Sequence, residues 1–178
     1  MAEAPRVLSS TIAYSGRLFD VELDQLLFPG GVEAHREIIR HPGAVCMVPV
    51  HADGTISVVR QYRHAAGKHL LELPAGTLEP GEEPRSTAVR ELQEEVGFLP
   101  NTVETLGGFY VAPGYTSEYI HLFVCRDLEP SNLDGDDDED IEVETLTMEE
   151  ARKAIANGRI EDAKSIIGIL RFVDTHGG

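Results

Sequence analysis

Basic side chains are scarce in this 178-residue chain: 15 Lys and Arg stand against 31 Asp and Glu, a formal net charge of −16 with histidine neutral. A surface so poor in positive charge argues against nucleic acid as a partner, because phosphate backbones are bound by clustered Lys and Arg. It argues equally against an anionic membrane surface. It does not exclude an anionic small molecule, provided that a divalent cation stands between the two. Cysteine is nearly absent as well. Cys46 in AVCMVPV and Cys125 in HLFVC both lie in apolar runs and read as buried, reduced thiols rather than a disulfide framework. No run approaches the roughly 18 apolar residues of a membrane span. The opening MAEAPRVLSS lacks the apolar stretch of a secretory signal, so a cytoplasmic location is expected. What remains is ordinary for a soluble globular protein: 42% hydrophobic and 26% charged residues, in a length that suits one domain with a small appendage.

The first forty residues read as strands. STIAYSG, RLFDVELDQLLF and VEAHREIIR alternate in short patterns, separated by turn signals at Ser15-Gly16 and Pro29-Gly30-Gly31. AVCMVPV is continuously apolar, as a strand buried on both faces would be. TISVVRQYR follows the turn Ala52-Asp53-Gly54, which predicts a hairpin with AVCMVPV, and HLLELPAG predicts a further strand ending at Pro74. Pro84 suits the first position of a helix and Gly97 the position just past its end, with Ala88, Leu92 and Val96 giving one apolar face. TVETLGGFYVAPG, EYIHLFVCRDL and IEVETLT are strand-like, and the acidic stretch 129–140 between the last two is a loop. Thr147 with Glu150 forms a capping-box pattern for a helix running to Asn157-Gly158, and a last helix is expected over roughly 160–173. The order predicts mixed α and β structure, with helices packed on a sheet.

The segment that asks for a chemical reading is GTLEPGEEPRSTAVRELQEEVGF, residues 76–98, with six glutamates against two arginines. On a helix, Glu91 and Glu95 sit one above the other, and Glu94 lies beside them. Like charges at this spacing destabilise an isolated helix by a few tenths of a kcal/mol, a cost that a bound cation would remove. Oxygen donors alone suit a hard ion such as Mg²⁺ or Mn²⁺. Arg90 is placed to reach Glu94 on the helix and Glu82 in the preceding loop. Spacing by itself leaves a solvated acidic helix equally open.

The same stretch resembles the Nudix box, G-x5-E-x7-R-E-U-x-E-E-x-G-U with U apolar. Gly76, Glu82, Arg90-Glu91-Leu92, Glu94-Glu95 and Gly97-Phe98 fill every fixed position. The resemblance implies a Nudix-type α/β/α sandwich with a mixed sheet over 43–178; the strands of 1–42 are expected as a small antiparallel β region before it, either a separate sheet or an extension of the main one, and as a dimerisation element. It implies hydrolysis of a nucleoside diphosphate linked to another moiety, with roughly two or three divalent ions, Mg²⁺ or Mn²⁺. Carried over by position, Glu91 and Glu95 are the principal metal ligands and Glu94 a further ligand or catalytic neighbour. The Ala75 carbonyl completes the site, and Glu82 orients Arg90.

The flanks RQYRH and ELPAGTLEPGE resemble ADP-ribose pyrophosphatases, as does Pro113 in APGYTSE, sixteen positions past Gly97. That likeness implies ADP-ribose as substrate, split to AMP and ribose 5-phosphate. GDP-mannose, another nucleotide-sugar, a dinucleoside polyphosphate or NADH are enzymatic alternatives, and a non-catalytic nucleotide sensor is the alternative of another class. It also implies that Arg36 and Arg63 grip diphosphate or ribose, with Pro113 and Glu118 at the substrate. An arginine fork suits phosphate oxygens. A homodimer is implied, its N-terminal strands reaching the other subunit's site. In the acidic loop DGDDDEDIEV, Glu139 is the best match to the glutamate that takes a proton from the attacking water or ligates a further ion, with Asp137 and then Glu142 behind it. The chain has no tryptophan, on which some members of the family stack adenine; Tyr14, Phe19, Phe28 or an arginine are the substitutes at hand.

Overall fold

The computed structural model describes residues 3–134 and 140–176. By its internal contacts the chain divides into two compact units, one comprising 1–43 with 110–119 and the other 44–109 with 120–178.

The first unit is built on a three-stranded antiparallel sheet of β1 (Arg6–Ser15), β2 (Asp20–Leu27) and β3 (Glu33–Arg40). The β2–β3 ladder runs without interruption from Asp20 opposite Arg40 to Leu27 opposite Glu33. The turn between them uses Gly30 and Gly31, both at positive φ, where a Cβ would be strained. β1 pairs with β2 through two register shifts, so its apolar residues do not share one face. All ten of its residues are exposed. The segment 110–119 joins this unit through β3: the Ile39 N–H donates to the Tyr115 carbonyl at 2.8 Å, and the Ser117 N–H to the Ile39 carbonyl at 2.9 Å.

The second unit holds two sheets and all three helices. One sheet has the order β10 (Ile141–Leu146), β5 (Ile56–Arg63), β6 (Lys68–Glu72). The other runs β7 (Ala75–Thr77), β4 (Ala44–Pro49), β9 (Tyr119–Pro130), β8 (Phe98–Tyr110). β4 shows why AVCMVPV is apolar throughout. Ala44, Cys46 and Val48 face one core together with Ala151 and Ala154 of α2 (Met148–Ala156) and Ile169 and Phe172 of α3 (Ala163–His176). Val45 and Met47 face a second core with Ala88 and Leu92 of α1 (Pro84–Glu95). Successive residues of a strand point to opposite faces, so a strand covered by helices on both sides needs no polar alternation. The unit is therefore an α/β/α arrangement around a mixed sheet, with β4 parallel to β9 and antiparallel to β7. Both thiols are buried in it, and burial pushes the Cys46 thiol well up and that of Cys125 up to about 12.

Three sequence expectations are corrected. β4 and β5 do not form a hairpin: the turn is present, but pairing is limited to one bridge between Val50 and Ile56, and the two strands enter different sheets. Both edges of β4 are already occupied by β7 and β9, so β5 has no ladder to join. The strand expected to end at Pro74 ends at Glu72, because Leu73-Pro74 carries the chain from β6 in one sheet to β7 in the other. The last helix begins at Ala163, three residues beyond the expected start. Ile160 is a buried core residue whose N–H donates to the Ala154 carbonyl, and the Asp162 carboxylate accepts from the Ser165 N–H at the true start.

Candidate active site

α1 starts at Pro84, after Glu83 in an extended conformation, and ends where Gly97 takes φ +78°. This fixes the phase of the helix and with it the direction of its glutamates. Glu95 is 7% exposed, and its Oε2 accepts the Ala75 N–H at 3.1 Å. One turn earlier, Glu91 lies directly against Gly76: a Cβ built there would come within 1.9 Å of the Glu91 Cδ. Gly76 is thus the one residue that leaves room for this carboxylate. Two carboxylates from one helix face are set against the two-residue backbone of Ala75-Gly76, at the start of β7.

Arg90 arranges the remaining charges. Its Nε and Nη2 donate to the two Glu82 oxygens at 3.2 and 3.1 Å, tying the loop before α1 to the helix. Its Nη1 lies 2.8 Å from Glu94 and 2.9 Å from Glu91. The Arg90 hydrogen bonds hold the Glu82 carboxyl below its usual range, and Glu82 in turn raises Arg90 further above its own. Among the described residues no three His, Cys, Asp or Glu side chains converge on a single point, and both Glu91 and Glu94 contact the Arg90 Nη1. The donors suit a hard divalent cation nonetheless. They are all oxygens, they meet a backbone segment with its own carbonyl groups, and Gly76 supplies the space in which the Glu91 carboxylate sits. Glu91 and Glu95 are thus the two carboxylates brought against the Ala75-Gly76 backbone.

Arg63, at the end of β5 in the same unit, forks onto Glu72: Nε to Oε1 at 2.9 Å and Nη2 to Oε2 at 2.7 Å. Arg36, Pro113 and Glu118 lie in the first unit. Arg36 rests over the Phe28 ring at 5.6 Å and donates to the His35 carbonyl. Pro113 sits inside the turn closed by the Tyr115 N–H to the Ala112 carbonyl, and the Glu118 carbonyl accepts from the Val111 N–H. Glu139 and Asp137 lie outside the described residues. Glu142 pairs in register with Arg60 and, with Arg60, His69 and Asp140, lines a cavity of about 310 Å³. Strand alternation puts it on the opposite face of β10 from Ile141, which packs with the core of α1.

Sequence reasoning did not reach Glu72, Lys164 or Asp162. Glu72 is 1% exposed, and its carboxylate takes hydrogen bonds from both Arg63 and Lys164. Burial pushes its carboxyl up, but the two cations outweigh burial and leave it below its usual value. Its signal was available, a lone glutamate in the apolar run HLLELP. Its partner Lys164 is 92 residues away, and nothing local announces it.

A family model described as the NUDIX domain matches residues 40–166. The methanol dehydrogenase activator of Bacillus methanolicus is 41% identical over 158 residues, covering 88% of this chain and 85% of that protein. The ADP-ribose pyrophosphatase of Bacillus subtilis (strain 168) is 37% identical over the same shares of each. A crystal structure of an ADP compounds hydrolase superposes with a TM-score of 0.88 at 26% identity, covering 99% of this chain and 98% of the other. By the matched model and by these relatives, the chain belongs to the NUDIX-domain family.

Proposed function

We propose that the protein hydrolyses the diphosphate bond of ADP-ribose, giving AMP and ribose 5-phosphate. The observation that carries this reading is the seating of Glu91 and Glu95 against Ala75-Gly76, in a chain that resembles ADP-ribose pyrophosphatases along most of its length. In the reaction water adds to one phosphorus, the bond from that phosphorus to the bridging oxygen breaks, and the bridging oxygen leaves on the other phosphate. Divalent ions, Mg²⁺ or Mn²⁺ and roughly two or three in number, neutralise the diphosphate and make the water more acidic when bound. Glu91, Glu95 and the Ala75 carbonyl would hold them, with Glu94 as a further ligand on release from Arg90. Arg90 and Glu82 keep the loop and helix in register, so the carboxylates are in place before substrate arrives. Arg36 and Arg63 take phosphate or ribose, Pro113 and Glu118 shape the substrate's surroundings, and Glu139 accepts the proton of the attacking water.

Residues 1–42 form the dimerisation element of a cytoplasmic homodimer, and 43–178 form the hydrolase domain. Val7, Leu8, Ile12 and Tyr14 of β1 are 37–62% exposed, apolar side chains spread over both faces of the strand, some of which a second subunit would cover. Among the described residues no helix is long and apolar enough to cross a membrane.

The test is product analysis on ADP-ribose, GDP-mannose, a dinucleoside polyphosphate and NADH, each with Mg²⁺ and with chelator. Release of AMP from ADP-ribose that stops on chelation is the expected result. Preferential cleavage of another member of the panel overturns the substrate, and binding without cleavage of any overturns the enzymatic reading.

A further inference from the structure

Four charged side chains in the second unit form a chain of contacts that ends at Arg63. The Glu72 side chain, 2% exposed, cannot be solvated and must find its partners within the protein. Its Oε1 takes the Arg63 Nε, and its Oε2 takes both the Arg63 Nη2 and the Lys164 Nζ. Lys164, 14% exposed, also donates to the Asp162 Oδ2 at 3.0 Å. That same oxygen accepts the Ser165 N–H at the first turn of α3. The helix end is itself fixed to the strand that carries Glu72. The Leu73 N–H donates to the Ser165 Oγ at 2.6 Å, and Gly168 lets α3 approach so closely that a Cβ there would stand 2.6 Å from the Leu73 Cδ1.

We infer that Lys164 is a positioning residue for the hydrolysis: acting through Glu72, it holds the Arg63 guanidinium in the orientation that takes the substrate's phosphate or ribose. The inference rests on the reading of Arg63 as a substrate residue. A carboxylate held by one guanidinium can swing with it, and Arg63 is 38% exposed with a long, mobile stem. A second cation on Oε2 fills the other acceptor direction of that oxygen and restrains rotation of the carboxylate, so that the planar fork has a single seat. α3 supplies the fixed frame. Among the described residues the Lys164 ammonium donates to Glu72 and Asp162 and not to Glu82, Glu91, Glu94 or Glu95. Its contribution should therefore vanish when Arg63 can no longer fork, whereas a general structural contribution would persist.

That difference is the experiment. Lys164→Gln, Arg63→Lys and the double variant are compared in kcat and KM for ADP-ribose at saturating Mg²⁺. The Arg63 side-chain N–H signal is followed by NMR, assigned by its loss in Arg63→Lys. Lys164→Gln is expected to raise KM about tenfold with a much smaller change in kcat, to add nothing on the Arg63→Lys background, and to speed exchange of the Arg63 Nε–H at least tenfold. Lys164→Arg should restore both. If Lys164→Gln does not fold, Asp162→Asn, which keeps a helix-capping side chain, loosens Lys164 in its place. Additive effects on KM, or unchanged exchange at the Arg63 Nε–H, overturn the inference. The exchange measurement needs no turnover, so it tests the hold of Lys164 on Arg63 separately from activity: unchanged exchange overturns the inference alone, whereas wild-type protein that leaves ADP-ribose intact overturns the proposed function.

Discussion

Replacing Gly76 with alanine separates the candidate active site from the stability of the fold. The added Cβ would lie 1.9 Å from the Glu91 Cδ, 2.1 Å from its Oε1 and 2.4 Å from its Cγ. These atoms belong to the outer part of a side chain that can rotate, so the backbone need not yield. The Glu91 carboxylate must instead retreat by roughly 1.5 Å to reach ordinary contact, and displacements of about 1 Å at a reacting centre can cost 10²-fold. Gly76 does not adopt a positive φ, so alanine carries no backbone strain there. The net stability change should stay within about 1 kcal/mol, since the loss of unfolded-state freedom offsets part of the local disturbance. The expected outcome is a Tm close to wild type, a weaker dependence of activity on Mg²⁺, and a fall in kcat of at least about 100-fold. Thermal unfolding, Mg²⁺ titration and steady-state hydrolysis of ADP-ribose on one preparation measure all three. A variant with kcat within about threefold of wild type and an unchanged Mg²⁺ titration would refute the placement of the metal at Glu91 and Ala75-Gly76, because a displacement this large must register in both.

Arg90→Ala leaves Glu82, Glu91 and Glu94, each 13–21% exposed, without their shared cation. Discounting for this partial exposure, the loss should be roughly 1–3 kcal/mol, read as a drop in Tm that added Mg²⁺ reverses more in the variant than in wild type; an unchanged Tm contradicts it. The depressed carboxyl of Glu72 contributes stability that is present above its ordinary value of 4.5 and is lost as pH falls through the lower folded value. Glu72→Gln should therefore be less stable than wild type at pH 7 but lose less on acidification, which denaturant unfolding across the acid range measures; parallel acid limbs for the two proteins exclude it. Ile12→Asp, at a β1 position 62% exposed, should convert a dimer to a monomer in light scattering without changing the secondary structure, and an unchanged mass removes β1 from the interface.

How much of the fold was legible depended on whether the deciding contact was local. α1 was readable at both ends, because Pro84 and Gly97 act on their own backbone. The capping box at Thr147 and Glu150 forms as its spacing predicts. β4 could be recognised as doubly buried from an apolar run, because burial of both faces leaves a mark on every residue of the strand. Its partners left no such mark. Adjacency in sequence favoured β5, whereas the ladder goes to β7 and β9, one of them parallel, and parallel pairing requires a long crossover that no turn residue advertises. The start of α3 was misread for a related reason. Ile160 is as apolar as a helix face requires, but its burial comes from the core under α2 and α3, while the residue that starts the helix is the polar Asp162.

The candidate site divides along the same line. Residues 76–98 make one loop and one helix, so a fixed spacing carries nearly all of their geometry. Glu91 and Glu95 on a single face, Arg90 within reach of Glu82, and a glycine where a carboxylate must pass are all encoded within it. Spacing could not show which backbone those carboxylates meet, because β7 is positioned by its pairing with β4 rather than by α1. The i,i+4 spacing did place Arg90 within reach of Glu94, and the two pair at 2.8 Å. Arg63 stands at the far end of this scale. The sequence presents it as one of the two arginines in RQYRH, but its guanidinium forks onto a glutamate across a hairpin, and that glutamate also takes a lysine on the final helix. A motif can therefore report the groups that hold a metal while remaining silent about those that aim the substrate. In this chain the set proposed to aim the substrate draws on β5, β6 and α3, and its contacts exist only once the sheet and the helix that packs on it have come together.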